Sequence, residues 1–114
     1  MKEHVEYKLS YEAFDGKMFD NYEEGLDHEL NELYKNSGIR FIDRLGNVIE
    51  HVEICRDETY NEADIITIDR SKKEENEKFV NTAIEELGWC LLEDLLYEKG
   101  NRFRMVIDDL IPID

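Results

Sequence analysis

Near the start of the chain, apolar side chains fall on every second position. Val5, Tyr7, Leu9 and Tyr11 alternate with Glu6, Lys8 and Ser10. A period of two is that of a strand with one buried face, so the pattern predicts a first strand here. Asp15-Gly16 then separates EAF from KMF, and a DG pair suits a tight reversal because both residues tolerate positive φ. From Tyr22 the period becomes helical. Tyr22, Leu26, Leu30, Leu33 and Tyr34 share one face, and Glu23, Glu24, Asp27, Asn31 and Glu32 are expected to face outward. Asp20 with Glu23 three residues on is a D-x-x-E capping box, and Asn36, Ser37 and Gly38 form a stop signal.

Beyond the helix, Ile39–Ile42 and Val48-Ile49 flank the polar turn Arg44-Leu45-Gly46-Asn47 and predict a hairpin, whose second strand is expected to run on through Val52 and Ile54. CRDETYNE, residues 55–62, has no period and reads as an exposed connection. ADIITID, residues 63–69, is β-branched with apolar residues on both parities, so it predicts a central strand covered on both sides. Ser71 with Glu74 suggests a second capping box. Phe79, Val80, Ala83, Ile84 and Leu87 form the stripe of a second helix, ended by Gly88. WCLLEDLLYE, residues 89–98, fits either a strand with a turn or a short helix. Lys99-Gly100-Asn101 predicts a turn, and Phe103, Met105 and Ile107 the inward face of a last strand; residues 108–114 read as a loose or edge-packed tail. The order is strand, helix, three strands, helix, and one or two strands. This is a single α+β domain over residues 1–114, with two helices on a mainly antiparallel sheet of four to six strands.

Charge changes the picture more than composition does. The chain carries 29 Asp and Glu against 14 Lys and Arg, a formal net charge of -15. The excess is spread along the whole length rather than gathered in a tail. At such density, direct binding to nucleic acid or anionic lipid is disfavoured and basic partners are favoured. With 41% hydrophobic and 11% aromatic residues the chain nevertheless has the means to fold. Two cysteines and no apolar opening segment point to a cytoplasmic protein with free thiols, and no apolar run reaches the ~20 residues of a membrane span.

Chemistry-bearing motifs are sparse. His51, Glu53 and Cys55 would share one strand face and could hold a soft divalent ion, but the P-C-x-x-C that accompanies an H-x-E zinc site is missing. No phosphate-binding glycine loop, nucleophile elbow or H-E-x-x-H occurs. The reading is therefore of a non-enzyme with no cofactor and no metal. What remains is the acidic face of the first helix, Asp20, Glu23, Glu24, Asp27 and Glu32, and the acidic start of the second, Glu74, Glu75 and Glu77, with Tyr22 and Tyr60 as aromatic anchors. Carboxylates one helical turn apart stand about 5–6 Å from each other, near the spacing of successive phosphates on a nucleic-acid strand.

Tyr11, Phe14, Asp15-Gly16, Phe19, Glu23, Glu24 and Glu29 form a strand, a D-G-x-x-F turn and an acidic helix, and this opening resembles small acidic accessory proteins of phages and prophages. The likeness continues through the Gly46-Asn47 turn, ADIITID and the helix ending at Gly88. Members of that type include anti-CRISPR-like inhibitors that block host defence nucleases. The resemblance implies a nucleic-acid mimic in the bacterial cytoplasm that binds a basic surface on a host CRISPR or restriction effector. Two other readings stay open: a self-associating module with its dimer contact on WCLLEDLLYE, and a metal-dependent enzyme built on His51, Glu53 and Cys55.

Overall fold

A computed structural model describes residues 2–5, 9–12, 16–19, 21–52, 62–106 and 109–113, with the backbone alone at 2–5, 9–12 and 19. Strands β1 (Lys2–Val5), β2 (Leu9–Glu12) and β3 (Met18–Phe19) form an antiparallel meander. The single opening strand is thus two strands. Val5 stands opposite Leu9, so three residues separate the paired positions, and a connection of that length keeps residues of the same parity on the same face. Alternation is therefore identical for a strand and for this hairpin. The reversal at Asp15-Gly16 is present, with Gly16 at φ 88° between β2 and β3, while Asp15 itself lies outside the described residues.

Helix α1 (Tyr22–Asn36) is capped by Asn21, whose side-chain oxygen accepts the N–H groups of Glu23 at 2.8 Å and Glu24 at 3.4 Å. The cap expected of Asp20 falls outside the described residues. Strands β4 (Ile39–Asp43) and β5 (Val48–Ile49) make the hairpin, turned by Gly46 at φ 86° and by Asp43, whose carboxylate accepts the N–H groups of Leu45 and Asn47, each at 2.9 Å. β5 stops at Ile49. Val52 is buried but belongs to no strand, and Ile54 lies outside the described residues.

Strand β6 (Ala63–Ile68) leads into helix α2 (Lys73–Leu87) through a 3-10 turn, Arg70–Lys72. The expected Ser71–Glu74 capping box is replaced by Asp69, whose carboxylate accepts from the Ser71 hydroxyl at 2.7 Å and the Ser71 N–H at 3.0 Å. Those two donors hold the Asp69 pKa below its ordinary value. Gly88, left-handed at φ 72°, ends α2 as expected. WCLLEDLLYE resolves as helical, a 3-10 turn over Cys90–Glu93 running into α3 (Asp94–Tyr97). Trp89, Leu92 and Leu95 are buried, and Leu91 and Leu96 pack against them, so most of the segment's apolar side chains complete the core while Tyr97 stays exposed. Strands β7 (Arg102–Val106) and β8 (Asp109–Pro112) follow, and the tail is edge-packed, with Leu110 buried.

The larger sheet is antiparallel in the order β5-β4-β6-β7-β8, so ADIITID is central as expected. In register, Ile49, Phe41, Ile66, Phe103 and Pro112 form one row across all five strands on the face that carries the core. Among the described residues, helices cover only this face. Ile65, on the opposite face, is half-buried, which corrects the expectation that both faces are packed. The meander contacts α1 rather than joining the sheet. The molecule is accordingly elongated, with a radius of gyration of 14.8 Å where about 13 Å is usual for this length.

Three buried polar side chains fasten the helices to the backbone of the strand layer. The Tyr34 hydroxyl sits between β4 and β5, donating to the Ile49 carbonyl at 2.6 Å and accepting the Phe41 N–H at 3.0 Å. The Asn31 amide pairs with Val52, accepting its N–H at 2.6 Å and donating to its carbonyl at 3.1 Å. Asn31 was expected on the outward face; its 5% exposure reflects this pairing. Asn76 accepts the Gly38 N–H at 2.7 Å and donates to the Asp69 carbonyl at 2.9 Å. A Cβ at Gly38 would meet the Asp69 Cβ and carbonyl oxygen at 2.7 Å, so the join between α1 and β4 needs glycine there.

Replacing Gly38→Ala is therefore expected to destabilise the fold by about 1–3 kcal/mol in urea denaturation. Tyr34→Phe strands two backbone groups and is expected to cost about 1–3 kcal/mol at neutral pH. Burial raises the Tyr34 pKa above its ordinary 10.0, against the opposing pull of the Phe41 N–H and the Arg40 charge. Above pH 10 the unfolded chain then releases a proton that the folded chain keeps. The Tyr34 contribution is complete below pH 10 and falls as pH climbs toward the folded pKa. The gap between wild type and Tyr34→Phe should narrow over that range, as measured by denaturation at stepped pH.

Candidate functional site

Helices α1 and α2 carry ten carboxylates against three lysines. They run antiparallel. Asn76 in the first turn of α2 bonds Gly38 just past the end of α1, and at the other end the Tyr22 hydroxyl donates to the Glu86 carboxylate. This brings the acidic start of α1, Glu23 and Glu24, to the same end of the pair as Glu85 and Glu86 in the last turn of α2. All four are exposed.

The two pairs differ in physical cost. At the start of α1 the helix dipole favours the carboxylates of Glu23 and Glu24. At the end of α2 the dipole opposes Glu85 and Glu86, and no basic residue stands in that turn to compensate. Acids held where both the dipole and neighbouring like charge disfavour them break a local rule, and such breaks concentrate where a surface is used.

The other expected site residues separate from this focus. At 3.6 residues per turn, Glu23, Asp27, Asn31 and Tyr34 follow one line that turns from solvent toward Val52. Asp27 is half-buried, with its carboxylate 3.4 Å from the His51 Nε2 and 3.3 Å from the Asn31 amide nitrogen. The outward line is Glu24, His28, Glu32 and Lys35, in which Glu32 makes a long 3.8 Å pair with Lys35. A row of evenly spaced carboxylates along α1 is therefore not formed. Tyr22 is 41% exposed and edges the focus; Asp20 and Tyr60 lie outside the described residues. The sequence reading left Glu85 and Glu86 outside the site, although two acids beside Gly88 at a helix end were a visible signal.

Between the helices lies a groove of about 460 Å³ lined by Glu29, Leu33, Asn36, Glu75, Lys78, Asn81 and Thr82. None of these is a histidine, cysteine or serine. His51 sits in a bend outside any strand, and Glu53 and Cys55 lie outside the described residues. Among the described residues no cluster of three metal-ligating side chains occurs, and no helix is long and apolar enough to cross a membrane. No family model, curated protein or solved structure matches the chain.

Glu85→Lys should relieve the dipole conflict and raise stability by about 0.3–1 kcal/mol in urea denaturation. A loss of stability would instead give Glu85 a structural role and remove it from the focus.

Proposed function

We propose that the chain is a non-catalytic binding protein of the phage accessory type. In this reading it acts in the bacterial cytoplasm and occupies the basic nucleic-acid channel of a host defence protein of the CRISPR or restriction class. The contact is the exposed acidic end of the helix pair, Glu23, Glu24, Glu85 and Glu86, with Tyr22 as its aromatic edge. The observation that carries the reading is the placement of Glu85 and Glu86 at a helix end that disfavours them, beside two further carboxylates, in a chain of net charge -15. Long-range attraction to a basic channel would speed encounter, and desolvated carboxylates meeting arginines would set the lifetime. Competition with nucleic acid then follows from shared phosphate-binding cations.

Affinity capture from a bacterial lysate at low salt, followed by titration of the captured protein, tests this. Binding should weaken steeply between about 50 and 200 mM salt and should displace nucleic acid from the captured protein. Reversing Glu23, Glu24 and Glu85 to lysine should lower affinity by at least about tenfold, whereas reversing three exposed acids elsewhere, Glu74, Glu93 and Glu98, should change it by less than about threefold. Equal losses from both variants would reduce the effect to net charge and contradict the assigned face.

A further inference from the structure

The face of the five-stranded sheet that no described helix covers has a composition unlike the rest of the molecule. Val48, Ile42, Ile65, Arg104 and Ile111 stand opposite one another in a single row across all five strands. Directly paired residues share a face, so four β-branched side chains and one arginine line up together. Val48 is 49% exposed, Ile111 44%, and the neighbouring Val106 and Ile113 43% and 40%. These four are half of the eight exposed large apolar residues among the described residues. The face also escapes the excess negative charge, because Arg102 and Arg104 on β7 share it with Asp109 on β8.

We infer that this face binds the same face of a second copy, forming a dimer in which two sheets pack against each other between two outer layers of helices. Charge decides the occupant. Two copies of a chain at net charge -15 repel most where their helix layers meet, and contact through the open sheets keeps those layers farthest apart. The face is also self-complementary. Arg104 is paired with Ile111 and Val106 with Asp109, which makes Arg104 and Asp109 diagonal neighbours on one face. No hydrogen bond or ion pair of the Arg104 guanidinium is found among the described residues, and the Asp109 carboxylate accepts its neighbour's N–H, from Leu110 at 2.8 Å. A two-fold axis near this pair sets each arginine against the other copy's aspartate, as an isologous contact requires.

Edge-to-edge pairing is the poorer route. β5 has only two residues and β8 carries Pro112, and both features blunt an edge. Face-to-face packing at about -30° instead interleaves the β-branched row with its copy. The 22 residues of these five strands, rising about 3.3 Å each in strands about 4.8 Å apart, cover on the order of 350 Å² in projection. That is a small interface, of the size that gives a reversible dimer rather than an obligate one.

Sedimentation equilibrium on the full chain in about 0.15 M salt, which screens the outer charges, tests the inference. Expected is a monomer–dimer equilibrium with a dissociation constant in the micromolar range. Ile111→Glu, at an exposed position, should give a monomer with unchanged circular dichroism. Arg104→Asp and Asp109→Arg should each weaken the dimer by at least about tenfold, and the two together should restore it to within about threefold. A monomer persisting to about 1 mM overturns the inference, as does a dimer that Ile111→Glu and Arg104→Asp leave intact. A complex with an acidic partner in place of the dimer would also overturn it.

Discussion

The Tyr34 hydroxyl between β4 and β5 is the contact on which the rest of the architecture depends. It bridges Phe41 N–H to the Ile49 carbonyl, so a helix side chain becomes part of the sheet's hydrogen bonding. Its ring stacks on Phe41 at 5.5 Å and meets Phe79 of α2 at 5.4 Å, which joins the two helices and the sheet in one aromatic cluster. Arg40 lies over the same ring at 5.2 Å and donates to the carbonyls of Tyr34 and Ser37, both at 2.9 Å. A cation at the last turn of α1 satisfies groups the helix leaves open and matches its dipole. Asn31 and Asn76 repeat the device at Val52 and at Gly38 with Asp69. Each replaces a missing backbone partner with a buried side chain, and each would be costly to leave half-satisfied.

This fastening governs where charge can go. The inner surfaces of both helices are committed to the core and to these polar links, so of their ten carboxylates only Glu29 is buried and the rest lie at the rim or the outside. Cations serve a different purpose. Arg40 and Arg70 clamp carbonyls; the Arg70 guanidinium reaches the Glu98 carbonyl at 2.6 Å and that of Gly100 at 2.7 Å, locking the loop after α3. With two arginines so occupied and Arg102 and Arg104 on the open sheet, the helix layer has few cations near it. The result is a two-sided molecule, acidic on its helices and apolar with arginines on its sheet, and the two proposals concern opposite sides.

Much of this frame could be read from residue order alone. The stripe Phe79 to Leu87 with Gly88, the Gly46 turn and the position of ADIITID all came from local chemistry that the tertiary structure keeps. The failures share a cause. The β1–β2 hairpin was invisible because its connection conserves parity. Asn31 read as solvent-facing because an amide signals polarity whether its partner is water or Val52. Ser71 resembled a cap, yet its own N–H and hydroxyl donate to Asp69 two residues earlier. The acidic row on α1 divided because Asp27 lies on the line that leads to Tyr34, a difference of one helical step. Glu23 and Glu86 are 63 positions apart, and only the antiparallel packing of the helices brings their ends together.

Amide hydrogen exchange tests this fastening most directly. The N–H groups of Gly38, Phe41 and Val52 are bonded to side chains, of Asn76, Tyr34 and Asn31. If those links hold helices and sheet as one unit, all three amides should exchange only through global unfolding, at the slow rates of the central strand β6. Exchange of any of them at the rate of an exposed loop amide, while β6 stays protected, would contradict the account.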